Sequence, residues 1–237
     1  DGNSPYQVKE INSNGSSSPY FIVSGNYQIY FSAEESNYGE ELYTAYYSTD
    51  YQGNDYVKVE RLSDIASGSA SSDPEWLTMH NGTLYFSALD DSSDEELYYY
   101  ETDSDTFYKV DVNTNGSSSP KGFTAYKGKL LFQAKGGNGN GTELWSFSLS
   151  TGNVSLVKDI NSGAGDSNPT DLVEYNDKVY FSADGGNKGT ELWVTDGTTE
   201  GTELFRDLNE NGSSNPSDFY VFEDQLYFSA SNGTDGA

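Results

Sequence analysis

Residues 178–208 read KVYFSADGGNKGTELWVTDGTTEGTELFRDL, and the rest of the chain repeats this stretch. YFSA stands at residues 30–33, 85–88, 180–183 and 227–230, with the variant LFQA at 131–134. Their starts are separated by 55, 46, 49 and 47 residues. Pro19, Pro74, Pro120, Pro169 and Pro216 are separated by the same four numbers, so two independent markers keep one register. A third marker, Glu-Leu followed by Tyr or Trp, begins at Glu41, Glu96, Glu143 and Glu191. A fixed period of this length carrying short strands is the signature of a propeller or a related array. One such unit cannot bury its apolar face alone, so the repeats are expected to form one domain.

Within a unit, a loop ending in Pro leads to a short strand and a tight turn. The YFSA strand, a Gly/Asn/Asp loop, the Glu-Leu-aromatic strand, a second turn and a closing strand follow. The first turns are read as Gly25-Asn26, Asn81-Gly82, Lys127-Gly128, Asn176-Asp177 and Glu223-Asp224, several of them residues that tolerate positive φ in two-residue hairpins. In residues 179–183, Val, Phe and Ala alternate with Tyr and Ser, the period of a two-faced strand. No helical periodicity is present.

These features predict an all-β chain, a five-bladed β-propeller of ~47-residue four-stranded repeats. The repeats span residues 12–61, 62–111, 112–159 and 160–207, and a last one combines 208–237 with 1–11. In that terminal blade, residues 6–11 supply a closing strand to the two first strands at 218–223 and 225–230. The pattern then breaks, since Asp235-Gly236-Ala237 stands where a Glu-Leu-Trp strand is due. Either the shared blade has three strands or the chain is a piece of a longer array. Asp1-Gly2 aligns with Asp196-Gly197, so the chain opens inside a repeat, as a mature or excised piece would.

Composition narrows the partners. Hydrophobic residues are only 34%, but aromatics reach 15% and 20 residues are Tyr, which suits half-buried strands. No apolar run is long enough to span a membrane as a helix, and with no Cys there is neither disulfide nor thiolate chemistry. Twelve basic against 38 acidic residues give a net charge of −26. That field opposes nucleic acid and anionic lipid and favours cations, basic partners or a salty medium.

ELWVTDGTTEGT at residues 191–202, preceded by YFSADGG and followed by an Asp-Leu-Asn loop, resembles the ELWxxDGTxxGT repeat family of large secreted or surface-attached bacterial proteins. Only the fourth unit carries the whole motif. The third keeps Trp145 but has SFSLSTGN in place of the DGT turn, and the first two have Tyr43 and Tyr98 for Trp. The resemblance implies a propeller and a secreted or cell-surface location, and no assigned chemistry. In unit length and count the chain is also similar to five-bladed lectins, by architecture alone.

The loops that link units repeat a polar pattern: EINSNGSSSP from Glu10, DIASGSASSDP from Asp64, DVNTNGSSSP from Asp111, DINSGAGDSNP from Asp159 and DLNENGSSNP from Asp207. A carboxylate, Asn and Asn at alternate positions followed by Gly is the spacing by which calcium loops aim side chains at one ion. The candidate ligands are Glu10, Asn12 and Asn14; Asp111, Asn113 and Asn115; Asp207, Asn209 and Asn211; and, more loosely, Asp159 and Asn161. The competing reading is that Asn-Gly-Ser only forms Asx turns. Strand alternation would put these loops on one rim with Glu34, Glu35, Asp90, Asp91, Asp94, Glu95 and Asp184, where a cation would offset self-repulsion.

Catalysis finds little support in the sequence. His80 is the only histidine and precedes a turn, and no phosphate loop or nucleophile elbow is present. Trp145 and Trp193 share one repeat position and read as core, whereas Trp76 follows a loop and reads as exposed. The expectation is therefore a non-enzymatic secreted or surface propeller acting as an adhesion, matrix or assembly module, stabilised by calcium. Its partners would be surface or matrix proteins or glycans. The alternative is a carbohydrate-binding propeller with repeated pockets between blades.

Overall fold

The computed structural model describes residues 7–137 and 139–234. Among them there is no helix, and every strand lies in an antiparallel meander. The chain divides into two compact units, Asp1–Lys109 and Val110–Ala237.

In the first unit, one sheet is built from β1 (Tyr20–Gly25), β2 (Gln28–Glu35), β3 (Gly39–Thr49) and β4 (Asp55–Arg61). The next is built from β5 (Glu75–His80), β6 (Thr83–Leu89), β7 (Glu95–Glu101) and β8 (Thr106–Val110), whose last residue reaches the unit boundary. The second unit holds a sheet of β9 (Lys121–Tyr126), β10 (Lys129–Lys135), β11 (Thr142–Ser148) and β12 (Val154–Lys158). Beside it stands one of β13 (Thr170–Tyr175), β14 (Lys178–Asp184), β15 (Thr190–Thr195) and β16 (Glu203–Arg206). A two-stranded sheet of β17 (Ser217–Phe222) and β18 (Gln225–Ser229) completes it.

The first hairpin of each sheet closes through two residues that both have positive φ, the primed turn whose twist matches that of the strands. Four of these turns stand where the sequence places them: Asn81-Gly82, Lys127-Gly128, Asn176-Asp177 and Glu223-Asp224. In the first sheet Gly25 pairs with Gln28, so the turn is Asn26-Tyr27, one residue later than expected.

In the four-stranded sheets the YFSA and LFQA strands are largely buried on both faces, whereas Tyr227 of the last sheet is exposed. In the first unit, Tyr30 and Leu42 from one sheet meet Leu84, Phe86, Ala88, Tyr98 and Tyr100 from the next. In the second unit, Leu131, Leu144 and Val157 meet Leu172, Val179, Phe181, Ala183 and Trp193 in the same way. Each such fully buried side chain contributes about 1.5–3 kcal/mol, and face-to-face packing accounts for the alternation of large and small residues along YFSA.

The closing strand expected at residues 6–11 is not formed: residues 7–11 are irregular, and Tyr6 lies outside the described residues. Lys9 Nζ instead donates to the Val59 carbonyl at 3.0 Å. Ile11 packs against the cluster of Phe31, Ala33, Tyr43, Ala45 and Val59. The segment thus covers the outer face of the first sheet, where burying Ile11 competes with strand pairing. The two-stranded sheet gains no third strand among the described residues, and the break expected at Asp235 lies outside them.

Candidate inter-sheet binding clefts

Each first strand is entered through Pro, and the backbone around that Pro is unusual in every repeat. The residue before it has positive φ: Ser18 at 39°, Asp73 at 43°, Ser119 at 45°, Asn168 at 43° and Asn215 at 47°. So has the second residue after it: Phe21 at 51°, Trp76 at 58°, Gly122 at 68°, Asp171 at 56° and Asp218 at 56°. Strand pairing slips at the same place, for example between Tyr20 and Val23 and between Thr170 and Val173. Only the third repeat uses glycine there. A non-glycine residue held in this region costs on the order of 1–3 kcal/mol and marks a place where the surroundings impose the conformation. A bulge of this kind redirects the side chains beside it.

Beside three of these Pro residues, Pro74, Pro169 and Pro216, the loop is held by a buried carboxylate of the preceding sheet. Glu41, Glu143 and Glu191, the acids of the Glu-Leu-aromatic motif, are 0% exposed. Glu143 accepts the backbone N–H of Ile160 at 2.7 Å and Asn161 at 3.3 Å, with the N–H and hydroxyl of Ser167 at 3.2 and 2.6 Å. Glu191 accepts Leu208 N–H at 2.8 Å and the Ser214 N–H and hydroxyl at 2.8 and 2.6 Å. Glu41 accepts the Ser63 hydroxyl at 2.5 Å and Ile65 N–H at 3.2 Å. Burial pushes the Glu41 and Glu143 carboxyls above the usual range, and donors from Ser63 and Ser72, or Ser167 and Ile160, pull them part of the way back. The Ser two residues before Pro, as in Ser167 and Ser214, is pinned to the preceding sheet by this carboxylate. Its own carbonyl accepts an N–H from the next sheet, Asp184 at 2.8 Å for Ser167 and Ser231 at 2.8 Å for Ser214. Ser at that position in every repeat was the available signal, and reading the sequence for ligands alone missed it.

The expected ligand loops are knitted by their first Asn. Asn12 Oδ1 accepts Asn14 N–H at 3.2 Å and the Ser36 hydroxyl at 2.6 Å, while its Nδ2 donates to Ser16 O at 3.1 Å. Asn113 and Asn209 do the same with Asn115 and Ser117, and with Asn211 and Ser213. Asn161 Nδ2 donates to Asp166 O at 3.1 Å. Glu10, Asn14, Asp111, Asn115 and Asn211 are exposed. Asp159 accepts Gly163 N–H at 3.2 Å, and Asp207 accepts Lys188 Nζ at 3.0 Å. These are Asx turns, and among the described residues no three Asp, Glu, His or Cys are grouped to hold a metal. Asp159 Oδ1 and Asp207 Oδ1 are buried and accept no hydrogen bond. On the acidic loops, Lys109 already bridges Asp90 at 2.8 Å and Asp94 at 3.0 Å.

The bulges and pinned loops frame a cleft where the packed faces of two sheets part. In the second unit it is a cavity of about 340 Å³. Its walls include Lys121, Gln133, Lys135 and Thr142 from one sheet and Asn168 and Thr170 from the next. Register explains the grouping: Lys121 pairs with Gln133 and Lys135 with Thr142, so all four project from the face that carries Leu131 and Leu144. In the first unit the corresponding positions hold Tyr20, Ser32, Glu34 and Glu40, facing Asp73 and Glu75. Burial, and then the charges of Asp73, Glu34 and Glu75, raise the Glu40 carboxyl.

Trp145 and Trp193 are 7% and 9% exposed, whereas Trp76 is 39% exposed with its ring 6.1 Å from that of Phe21. His80 Nε2 lies 3.0 Å from Asn81 Nδ2.

The sequence matches no protein-family profile and no curated protein. Solved structures similar in fold include TolB from Acinetobacter baumannii, at 10% identity over 86% of this chain and 48% of that one, with a TM-score of 0.48. A puromycin-hydrolysing peptidase from Mycobacterium tuberculosis aligns at 12% identity over 81% of this chain and 29% of its own, with a TM-score of 0.51. A Trypanosoma rangeli sialidase aligns at 14% identity over 74% and 36%, with a TM-score of 0.41. The chain therefore spans about half the length of the first and less than a third of the second. At these identities the likeness concerns the fold alone, a propeller-like all-β fold. It corrects the expectation of a non-enzymatic chain. The peptidase has this fold, and the missing motifs that argued against catalysis exclude only the chemistries those motifs serve.

Proposed function

We propose that this chain is a recognition module of a secreted or cell-surface protein, a five-bladed β-propeller of ELWxxDGTxxGT-type repeats. Its inter-sheet clefts bind small hydroxyl-rich ligands such as sugars and so mediate adhesion. The observation that carries this reading is the 340 Å³ cavity between the third and fourth sheets, walled by amide, hydroxyl and ammonium groups. Its volume is at the small end for ligand sites, the size of one or two sugar rings. Amides that both donate and accept suit hydroxyls, and the pinned loops hold them in place before the ligand arrives. The repeat of the bulge and of the buried Glu in successive sheets supports a set of related clefts, which gives avidity on a multivalent surface even when each contact is weak.

A glycan array followed by calorimetry tests this. Binding is expected to at least one immobilised class and to weaken about tenfold in Gln133→Ala/Asn168→Ala, two truncations that each remove a hydrogen-bonding amide. An array with no responder overturns it. We also propose a weak calcium site in the loops of Asp159 and Asp207, supported by their unpartnered buried oxygens. Millimolar calcium should raise the melting temperature and EDTA reverse it, and Asp159→Asn/Asp207→Asn should remove the response.

A second reading, assembly with protein partners, is favoured by the exposed apolar side chains of the first sheet, Ile22, Ile29 and Tyr47 among them. Such a patch marks an interaction surface.

A further inference from the structure

The cleft of the second unit and the corresponding positions of the first share one strand register and differ in charge. Lys135 and Thr142 occupy the positions of Glu34 and Glu40, because Glu34 pairs with Glu40 as Lys135 pairs with Thr142. Asn168 and Thr170, beside Pro169, occupy the positions of Asp73 and Glu75, beside Pro74. The fold accepts acids at these places, so nothing in the packing requires lysine.

Lysine there is conspicuous for a second reason. In a chain of net charge −26, ammonium groups find partners readily. Lys58, Lys109, Lys127 and Lys188 make ion pairs, and Lys9, Lys129 and Lys158 donate to backbone carbonyls. The ammonium groups of Lys121 and Lys135 make neither a hydrogen bond nor an ion pair among the described residues, although both residues line the same cavity. No Asp or Glu lines it with them. Two uncompensated cations in a carboxylate-free pocket form a local anion site within an otherwise anionic surface.

The remaining wall chooses among anions. There is no arginine fork, the side chain suited to bidentate phosphate recognition. Gln133, Thr142, Asn168 and Thr170 instead present neutral groups that donate and accept, which complement hydroxyls. We infer that the cleft between the third and fourth sheets takes a carboxylate-bearing sugar, a uronic acid, with Lys121 and Lys135 on the carboxylate and the amides and hydroxyls on the ring. This deepens the sugar-binding reading above and rests on it. The ligand is either a free uronate or one residue of an acidic polysaccharide.

The experiment is calorimetry of the full chain with galacturonate, galactose, inorganic phosphate and polygalacturonate, with Lys121→Gln/Lys135→Gln and a control, Glu34→Gln/Glu75→Gln. Galacturonate or its polymer should bind at least tenfold tighter than galactose and phosphate at low salt. That advantage should vanish in the lysine variant and persist in the control. Binding to the polymer alone, lost in the lysine variant, supports the polysaccharide source; equal binding per residue supports the free sugar. The wild-type chain gives a test free of folding effects, since uronate binding should fall several-fold between 50 and 500 mM NaCl while galactose binding stays constant. Equal affinity for galactose and galacturonate overturns the inference and leaves the sugar-binding reading intact. Tighter binding of phosphate, or no binding of either sugar, overturns it as well, and the glycan array then decides separately on the broader reading.

Discussion

A single side chain decides much in each repeat. The Glu143 carboxylate takes four donors from one loop, all of them N–H or hydroxyl groups. Removing it leaves those donors buried and unmatched, each costing about 1–3 kcal/mol when water cannot reach it. Glu143→Ala is expected to lower stability by at least 2–4 kcal/mol in urea unfolding. Glu143→Gln, which keeps one acceptor oxygen, should lose roughly half as much. An Ala variant that unfolds at the wild-type urea midpoint would refute the pinning role. This pairing was half legible. The Glu and the Ser two before Pro both recur in the sequence, but nothing there says that one belongs to the other, because the Glu sits in a strand and the Ser more than twenty residues on, in the loop that leaves the sheet. The Asn residues of the ligand loops were legible as turns and as ligands equally, since an amide oxygen serves both purposes.

At the level of the strand, period and turn chemistry were readable because they depend on neighbours in sequence. Asn-Gly and Asn-Asp announced the primed turns; Asn26-Tyr27 slipped by one because Gly25, the more permissive residue, is drawn into the last pair of the ladder. The bulge after each Pro was hidden. Phe21 and Trp76 have no preference for positive φ, and tertiary contacts impose it. Gly122 offers a direct measurement, because a methyl group there meets nothing within 4 Å. Gly122→Ala should therefore cost only the conformational penalty, about 1–2 kcal/mol. Asp171→Gly, at the same repeat position, should gain up to about 1 kcal/mol. Both are read from thermal or urea midpoints, and a neutral Gly122→Ala would mean that the bulge relaxes freely. The failed closing strand at residues 7–11 has a similar origin, since its apolar residues serve a sheet face as well as a ladder.

For the molecule as a whole, the composition foretold acid repulsion, and the structure adds a direction with pH. Burial raises Glu41, Glu143 and Asp73, and burial with neighbouring acids raises Glu40. A carboxyl raised on folding contributes stability that is full below its unfolded pKa and is lost as pH rises through the folded value. Hydrogen bonds from Lys109 depress Asp90, and those from Lys58 depress Glu60. These two act oppositely: their contribution is present above the ordinary carboxylate pKa and is lost as pH falls through the depressed value. The melting temperature should thus rise as pH drops from neutral towards the ordinary carboxylate range, then collapse below that range when the depressed carboxylates take up protons. A melting temperature highest at pH 8 would contradict this. Salt should flatten the rise, since exposed charges more than about 10 Å apart are screened at 0.1 M.

The clefts with exchanged charge have one more consequence. A pocket whose frame is fixed by Pro, Ser and a hidden Glu leaves its wall residues free of folding duties, so mutation can change their chemistry without touching the scaffold. Such a molecule can acquire new tastes one cleft at a time. A library randomised at residues 121, 133, 135, 142, 168 and 170 should return folded variants far more often than one randomised at residues 143, 167 and 169.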